Sequence, residues 1–360
     1  MSDRTFEILP ELESKIAEII KQKFAIDIFA ENFANSSGAR KMAQAVLKLS
    51  DFFISAEAQP TPWEEPWCQL AYLSYYMILN EIRCRAVLQE AERTNYLSGV
   101  EQVTDFGAGL GAATYSLSKV LPSSTQYVHI EKALTAQTLH KNIFPADAKN
   151  SRWTDLPGVP AKNSLGVFSF SLNELSAFPE WILQFDRLMI IEPATSQQGR
   201  VLMENRKKLI ERGFHIWAPC THQEACPLLE KSKNDWCHDR VFFQQPEWFQ
   251  AIENHLPIKN QTLTFSYLLA AKTPPPALKG MARITGDFLD EKGKSRQLVC
   301  RNSEREFLAW MHKNLPKKTE PQRIPRGAMI YWPSEFEQKS NEIRVTKEIS
   351  ILALDKKNPS

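Results

Sequence analysis

Residues 102–113 read Gln-Val-Thr-Asp105-Phe-Gly107-Ala-Gly109-Leu-Gly111-Ala-Ala, and this stretch decides the fold. Residues 102–106 read as a short strand, and 112–120 as a helix. Between them stand three glycines within five residues, in a chain with only 13 glycines among 360 residues. Glycine lets the backbone turn sharply and lets a ligand approach the peptide groups. The helix start beyond it offers unpaired N–H groups. The spacing is G-x-G-x-G, not the G-x-G-x-x-G that holds a pyrophosphate in dinucleotide folds. Asp105, two residues before the first glycine, would repel a pyrophosphate. It suits the cationic amino-acid end of S-adenosylmethionine (SAM). A nucleotide cofactor and a tight turn without any ligand are the other readings of the glycines.

Working outward, strand and helix signals alternate. Strands are expected at 126–131, 165–171, 187–192, 214–218 and 265–271, with a helix over 199–212 stopped by Gly213. This alternation predicts an α/β fold with an open, mostly parallel sheet. Glu131 ends the second strand, 20 residues after Gly111, where a carboxylate commonly accepts hydrogen bonds from a ribose diol. Asn173, Glu174 and Glu192 end later strands at the same sheet edge, so they are candidates for the pocket floor. Residues 1–97 read as a helical region, 98–275 as the Rossmann-like domain, and 276–360 as a small, basic, β-rich domain.

Composition narrows the class. Hydrophobic residues make up 43% and charged residues 24%, with a formal net charge of +2, so neither a disordered chain nor a global polyelectrolyte is expected. No apolar run is long enough for a membrane span. The first residues, MSDRTFEILPELESK, lack the pattern of an export signal, which predicts a cytoplasmic protein with reduced cysteines.

The stretch 219–262 is long for a connection inside such a sheet, where about 2–6 residues is usual. It holds Cys220, Cys226 and Cys237, and Cys300 stands alone further on. Four thiolates suit a tetrahedral zinc or an iron–sulfur cluster. The C-x-x-C knuckles of zinc ribbons are missing, and His222 and His238 stand beside the cysteines as rival ligands. Cys68 and Cys84 read as buried apolar residues of the helical region. Residues 292–326 carry ten Lys and Arg against three acids, a density that predicts phosphate contacts, with RNA as the expected partner.

Taken together these stretches resemble the ribosomal small-subunit methyltransferase-like family. The matching segments are DFGAGLGAA at 105–113, SLNEL at 171–175, IIEP at 190–193, APC-x(5)-CP at 218–227, DWCH at 235–238 and the lone Cys300. Ala194 follows the Glu-Pro where members carry glycine, and the usual Arg-Met-Pro stretch is missing. The resemblance implies a class I SAM-methyltransferase fold. It implies a SAM site including Asp105, Gly107, Gly109 and Glu131, with Gly111 completing the loop. It implies a 4Fe–4S cluster on Cys220, Cys226, Cys237 and Cys300, zinc being the alternative. The implied function is a SAM-dependent methyltransferase-like factor acting on the small ribosomal subunit or its RNA. A non-catalytic SAM-binding assembly factor and a zinc-stabilised methyltransferase of another substrate are the rivals. No residue stands out as a general base, and no oligomeric state is implied.

Overall fold

The computed structural model describes residues 4–55, 59–144, 150–175, 177–257, 259–277, 280–315 and 319–352. In chain order the strands are β1 Thr5–Phe6, β2 Gln102–Phe106, β3 Gln126–Ile130, β4 Ser151–Thr154, β5 Ser164–Ser169, β6 Arg187–Glu192, β7 His215–Ala218, β8 Asp239–Phe243 and β9 Thr262–Ala271. They continue with β10 Met281–Ile284, β11 Leu289–Glu291, β12 Lys294–Cys300, β13 Glu306–Met311, β14 Met329–Tyr331, β15 Glu337–Lys339 and β16 Glu342–Arg344. The α-helices are α1 Pro10–Phe24, α2 Ser37–Ser55, α3 Pro66–Ala71, α4 Met77–Arg93, α5 Ala112–Ser118, α6 Leu134–Ile143, α7 Ser196–Glu211, α8 Pro227–Glu230 and α9 Glu247–Glu253. The chain divides into two compact units, residues 1–88, 99–185 and 241–263, and residues 89–98, 186–240 and 264–360.

In the first unit β2 pairs in parallel with β3 and β5, and β3 with β4, giving the order β4-β3-β2-β5. β2, β3 and β5 are buried along nearly their whole length, as parallel strands covered on both faces are. The helical region packs in the same unit. α1 buries Leu12, Ile16, Ile19 and Ile20, which recur at spacings of three and four, and starts with proline at its first turn. Tyr72–Tyr76 form a π-helical turn between α3 and α4. Two short elements were not legible in the sequence: β1, and its parallel partner β8 inside the 219–262 stretch.

In the second unit β9 runs antiparallel to both β6 and β7, so the order is β6-β9-β7. Counting from β2 and leaving aside β8, the two units read 3-2-1-4 and 5-7-6, with only strand 7 reversed against its neighbours. The fold is of the Rossmann-like α/β class that the resemblance implied. The C-terminal strands form a separate sheet. β12 pairs antiparallel with β10 and β13, β13 lies parallel to β16, and β16 is antiparallel to β15. β14 pairs with β10 and β15 with β16, so the two short strands of segment 329–339 stand at opposite ends of a seven-stranded sheet with its own core. Ile284, Val299, Leu308, Trp310, Ile330 and Ile343 belong to that core. Sequence reading gave only a β-rich region here, because every pairing but the hairpins is long-range.

Candidate functional site: a glycine loop with carboxylates, and a cysteine cluster

Gly107, Gly109 and Gly111 all take positive φ, at 65°, 49° and 84°, a region that costs other residues energy. The N–H groups of Gly107 and Ala108 donate to Ile130 O at 2.8 and 3.2 Å, which pins the loop to the end of β3. Ser171 presses from the other side. A Cβ on residue 107 would stand 2.8 Å from Ser171 Cβ, and Ser171 Oγ donates to Phe106 O at 2.5 Å. Trp63 lies against Gly109, its ring 3.6 Å from where a Cβ would sit.

Glu131 follows β3 directly. Its Oε2 accepts from Gly109 N–H at 3.1 Å and its Oε1 from Ala133 N–H at 2.9 Å. A carboxylate has about four lone-pair sites, so each oxygen retains acceptor capacity. Asp105 is only 2% exposed, and Thr114 Oγ1 in α5 donates to its Oδ2 at 2.8 Å. The carboxyl is thus turned to the root of α5, with His129 Nδ1 3.5 Å from the same hydroxyl. Asn173 and Glu174 lie exposed on the short helical turn after β5. The structure therefore gathers Asp105, the three glycines, Glu131, Asn173 and Glu174 at the carboxyl ends of β2, β3 and β5. Glu192 ends β6 in the second unit and is buried.

The electrostatics of the loop follow from this crowding. Burial pushes the Asp105 carboxyl up to about 7, the Glu131 charge adds to the rise, and the Thr114 hydrogen bond opposes it. Glu174 is exposed as a residue, but partial enclosure of its carboxyl and then the Glu131 charge lift it to about 6. Burial holds His129 at about 4 and His140 at about 3, so both rings are neutral at pH 7. An acid whose pKa is higher in the folded chain takes up a proton on folding. Its contribution is therefore most favourable below the unfolded carboxylate value of about 3.9 and declines as pH rises through the folded value. Asp105→Asn keeps an acceptor for Thr114 without the buried charge. It is expected to be more stable than the parent at pH 8, with the advantage shrinking towards pH 4. Urea midpoints across that range measure it; parallel curves for the two proteins would contradict the assignment.

The cysteine cluster lies wholly in the second unit. Burial and then the charges of Cys220, Cys237 and Cys226 push the Cys300 thiol well up, and Cys226 and Cys237 are raised in the same way by burial and by Cys220. Four thiols that feel one another so strongly share one neighbourhood. Cys226 packs with Met203, Leu228, Leu298 and Phe307, and Cys237 lies against that group. Arg206, buried in α7, donates from Nε to Cys220 Sγ at 3.1 Å and from Nη2 to His222 O at 2.9 Å. His222 Nε2 is 3.3 Å from Cys300 Sγ. Among the described residues no group of three or more His, Cys, Asp or Glu is placed to hold a metal ion. Cys68 and Cys84 are buried in the first unit, their thiols pushed up to about 12 by burial. Arg206 was overlooked in the sequence although a signal exists, since it falls at helical spacing on the stripe formed by Leu202, Met203 and Leu209.

The basic stretch is less available than its composition suggested. Lys294 pairs with Glu342, Arg296 with Glu291, Arg301 with Glu306, Arg305 with Asp235 and Arg326 with Asp287. Lys292, Lys313 and Arg323 make no ion pair among the described residues; Lys317 and Lys318 lie outside them. No described helix is long and apolar enough to cross a membrane.

Comparison with known proteins adds the following. A sequence search of curated proteins finds no match. Among solved structures, the magnesium protoporphyrin IX methyltransferase of Synechocystis, with bound SAM, is 11% identical over 64% of this chain and 97% of its own, with a TM-score of 0.34. A SAM-dependent O-methyltransferase of Thermotoga maritima is 14% identical over 53% of this chain and 65% of its own, with a TM-score of 0.32. A family model covers residues 69–311, from α3 to the end of β13, and so takes in the glycine loop and all four clustered cysteines. The chain belongs to the family described as mitochondrial small ribosomal subunit Rsm22.

Proposed function

We propose that the first unit binds SAM at the glycine loop and that the protein acts as a methyltransferase-like factor on the small ribosomal subunit or its RNA. The observation that carries the SAM reading is the charge at the loop. Asp105, Glu131 and Glu174 stand close enough that the Glu131 charge raises both neighbours. A site built this way favours a cation such as the sulfonium and ammonium of SAM and disfavours a pyrophosphate. Glu131 would take the ribose diol, Gly107 and Gly109 would let the ligand lie against the backbone, and Asp105 would brace the loop through Thr114. Asn173 and Glu174 would border the methyl group's exit. SAM carries its own leaving group, so transfer rests on holding the acceptor in line with the sulfonium. Membership of a family described by a mitochondrial small ribosomal subunit supports the choice of partner. Incubating the protein with small ribosomal subunits and SAM labelled in its methyl group tests the proposal. Label in the RNA or a subunit protein is expected.

A second reading, a SAM-binding assembly factor without transfer, has its own support. The loop after β5 reads Ser-Phe-Ser-Leu-Asn-Glu, with no Asn-Pro-Pro-Tyr segment of the kind used for amino-group methylation. SAM binding and subunit association without label would favour it.

The thiols fit a soft metal group by donor chemistry and by the Arg206 hydrogen bond, which would stabilise a thiolate. Cys220, Cys226, Cys237 and Cys300 would hold a 4Fe–4S cluster, or zinc in its place. Either would cross-link the 219–240 loop to β12, so that ligand binding becomes folding free energy. Protein purified without oxygen is expected to contain iron with inorganic sulfide. Zinc alone would select the alternative, and neither metal would remove the proposal.

A further inference from the structure

Phe170 stands immediately after β5 with φ at 59°. A bulky residue in the left-handed region is a true outlier, and such strain persists where the surroundings impose it, commonly at ligand sites. The cause is visible. Ser171 is drawn beneath Gly107 and bonded to Phe106 O, and the chain reaches that position only by turning sharply at residue 170. Glycine or asparagine would make the turn at lower cost. Phe106, Phe168, Trp181 and Phe185 pair with one another, whereas Phe170 is half-buried and pairs with no other ring among the described residues. Its recorded neighbour is the Arg83 guanidinium, 5.5 Å over the ring.

We propose that Phe170 is the stacking platform for the methyl acceptor, and that the acceptor is a flat nucleobase of single-stranded RNA. This rests on the SAM reading of the same loop. One face of the ring lies towards Arg83, and the other is the surface on which a planar group stacks. Base–aromatic stacking tolerates any base and needs no hydrogen-bond partner. Arg83 behind the ring adds positive charge, which suits a nucleic acid over a cationic side chain.

The test uses the full chain with S-adenosylhomocysteine and a mixed-sequence heptaribonucleotide carrying 2-aminopurine at its centre. Stacking quenches the 2-aminopurine fluorescence. Phe170→Asn is expected to keep the parent's melting temperature or exceed it, and to keep its S-adenosylhomocysteine affinity by calorimetry. It is expected to bind the oligonucleotide at least about tenfold more weakly, while Phe170→Tyr binds within about twofold of the parent. Oligonucleotide affinity unchanged in Phe170→Asn would overturn the proposal. So would a parent chain that binds S-adenosylhomocysteine but does not quench the probe. A parent that binds no S-adenosylhomocysteine would instead refute the SAM reading beneath it.

Discussion

Glu131→Ala is expected to lose about two orders of magnitude in SAM affinity while remaining folded. The carboxylate is the group placed to accept from a ribose diol, and hydrogen bonds to a charged acceptor contribute about 1.5–3 kcal/mol each, with tenfold in affinity per about 1.4 kcal/mol. The side chain also holds Gly109 N–H and Ala133 N–H, so its removal loosens the loop that must lie against the ligand. Isothermal titration with SAM measures the loss, and a melting curve checks the fold. An affinity within about threefold of the parent would mean that the ligand does not touch Glu131.

Gly111→Ala is expected to be the most damaging small substitution in the first unit. The residue sits at φ 84°, and an added Cβ would stand 2.4 Å from His140 Cε1, 2.7 Å from His140 Nδ1 and 2.8 Å from Phe144 Cε2. His140 cannot swing away cheaply: it is buried, and its Nδ1 donates to Gly109 O at 3.4 Å. The left-handed backbone costs alanine about 1–2 kcal/mol, and forcing an atom into a packed site costs about 1–3 kcal/mol more. Against a typical total of about 5–15 kcal/mol, that is a large fraction. Chemical denaturation should show the midpoint fall at unchanged slope. A loss under about 1 kcal/mol would show that the loop and α6 yield easily.

Much of this was legible in the residues because it is local. The strand, the glycines and the helix are contiguous, so Asp105, Gly107, Gly109 and Gly111 declared a sharp turn between strand and helix, and Glu131 follows one strand later. The cysteines were legible as a group by rarity alone. What stayed hidden depends on contacts between distant parts of the chain. β1 has two residues and is a strand only because β8 offers it an edge. The second sheet gains its two end strands only because residues 329–339 reach both β10 and β16. The ion pairs that occupy half of the basic stretch draw on acids as far away as Asp235 and Glu342. Phe170 gave no signal, since a phenylalanine after a buried strand reads as core until its backbone angle is known.

The most direct test of the central claim is a calorimetric titration of the unmodified full chain with S-adenosylhomocysteine and, separately, with NADH. The carboxylates around the glycine loop predict one S-adenosylhomocysteine per chain and no heat from NADH. Binding of NADH with no response to S-adenosylhomocysteine would contradict the account.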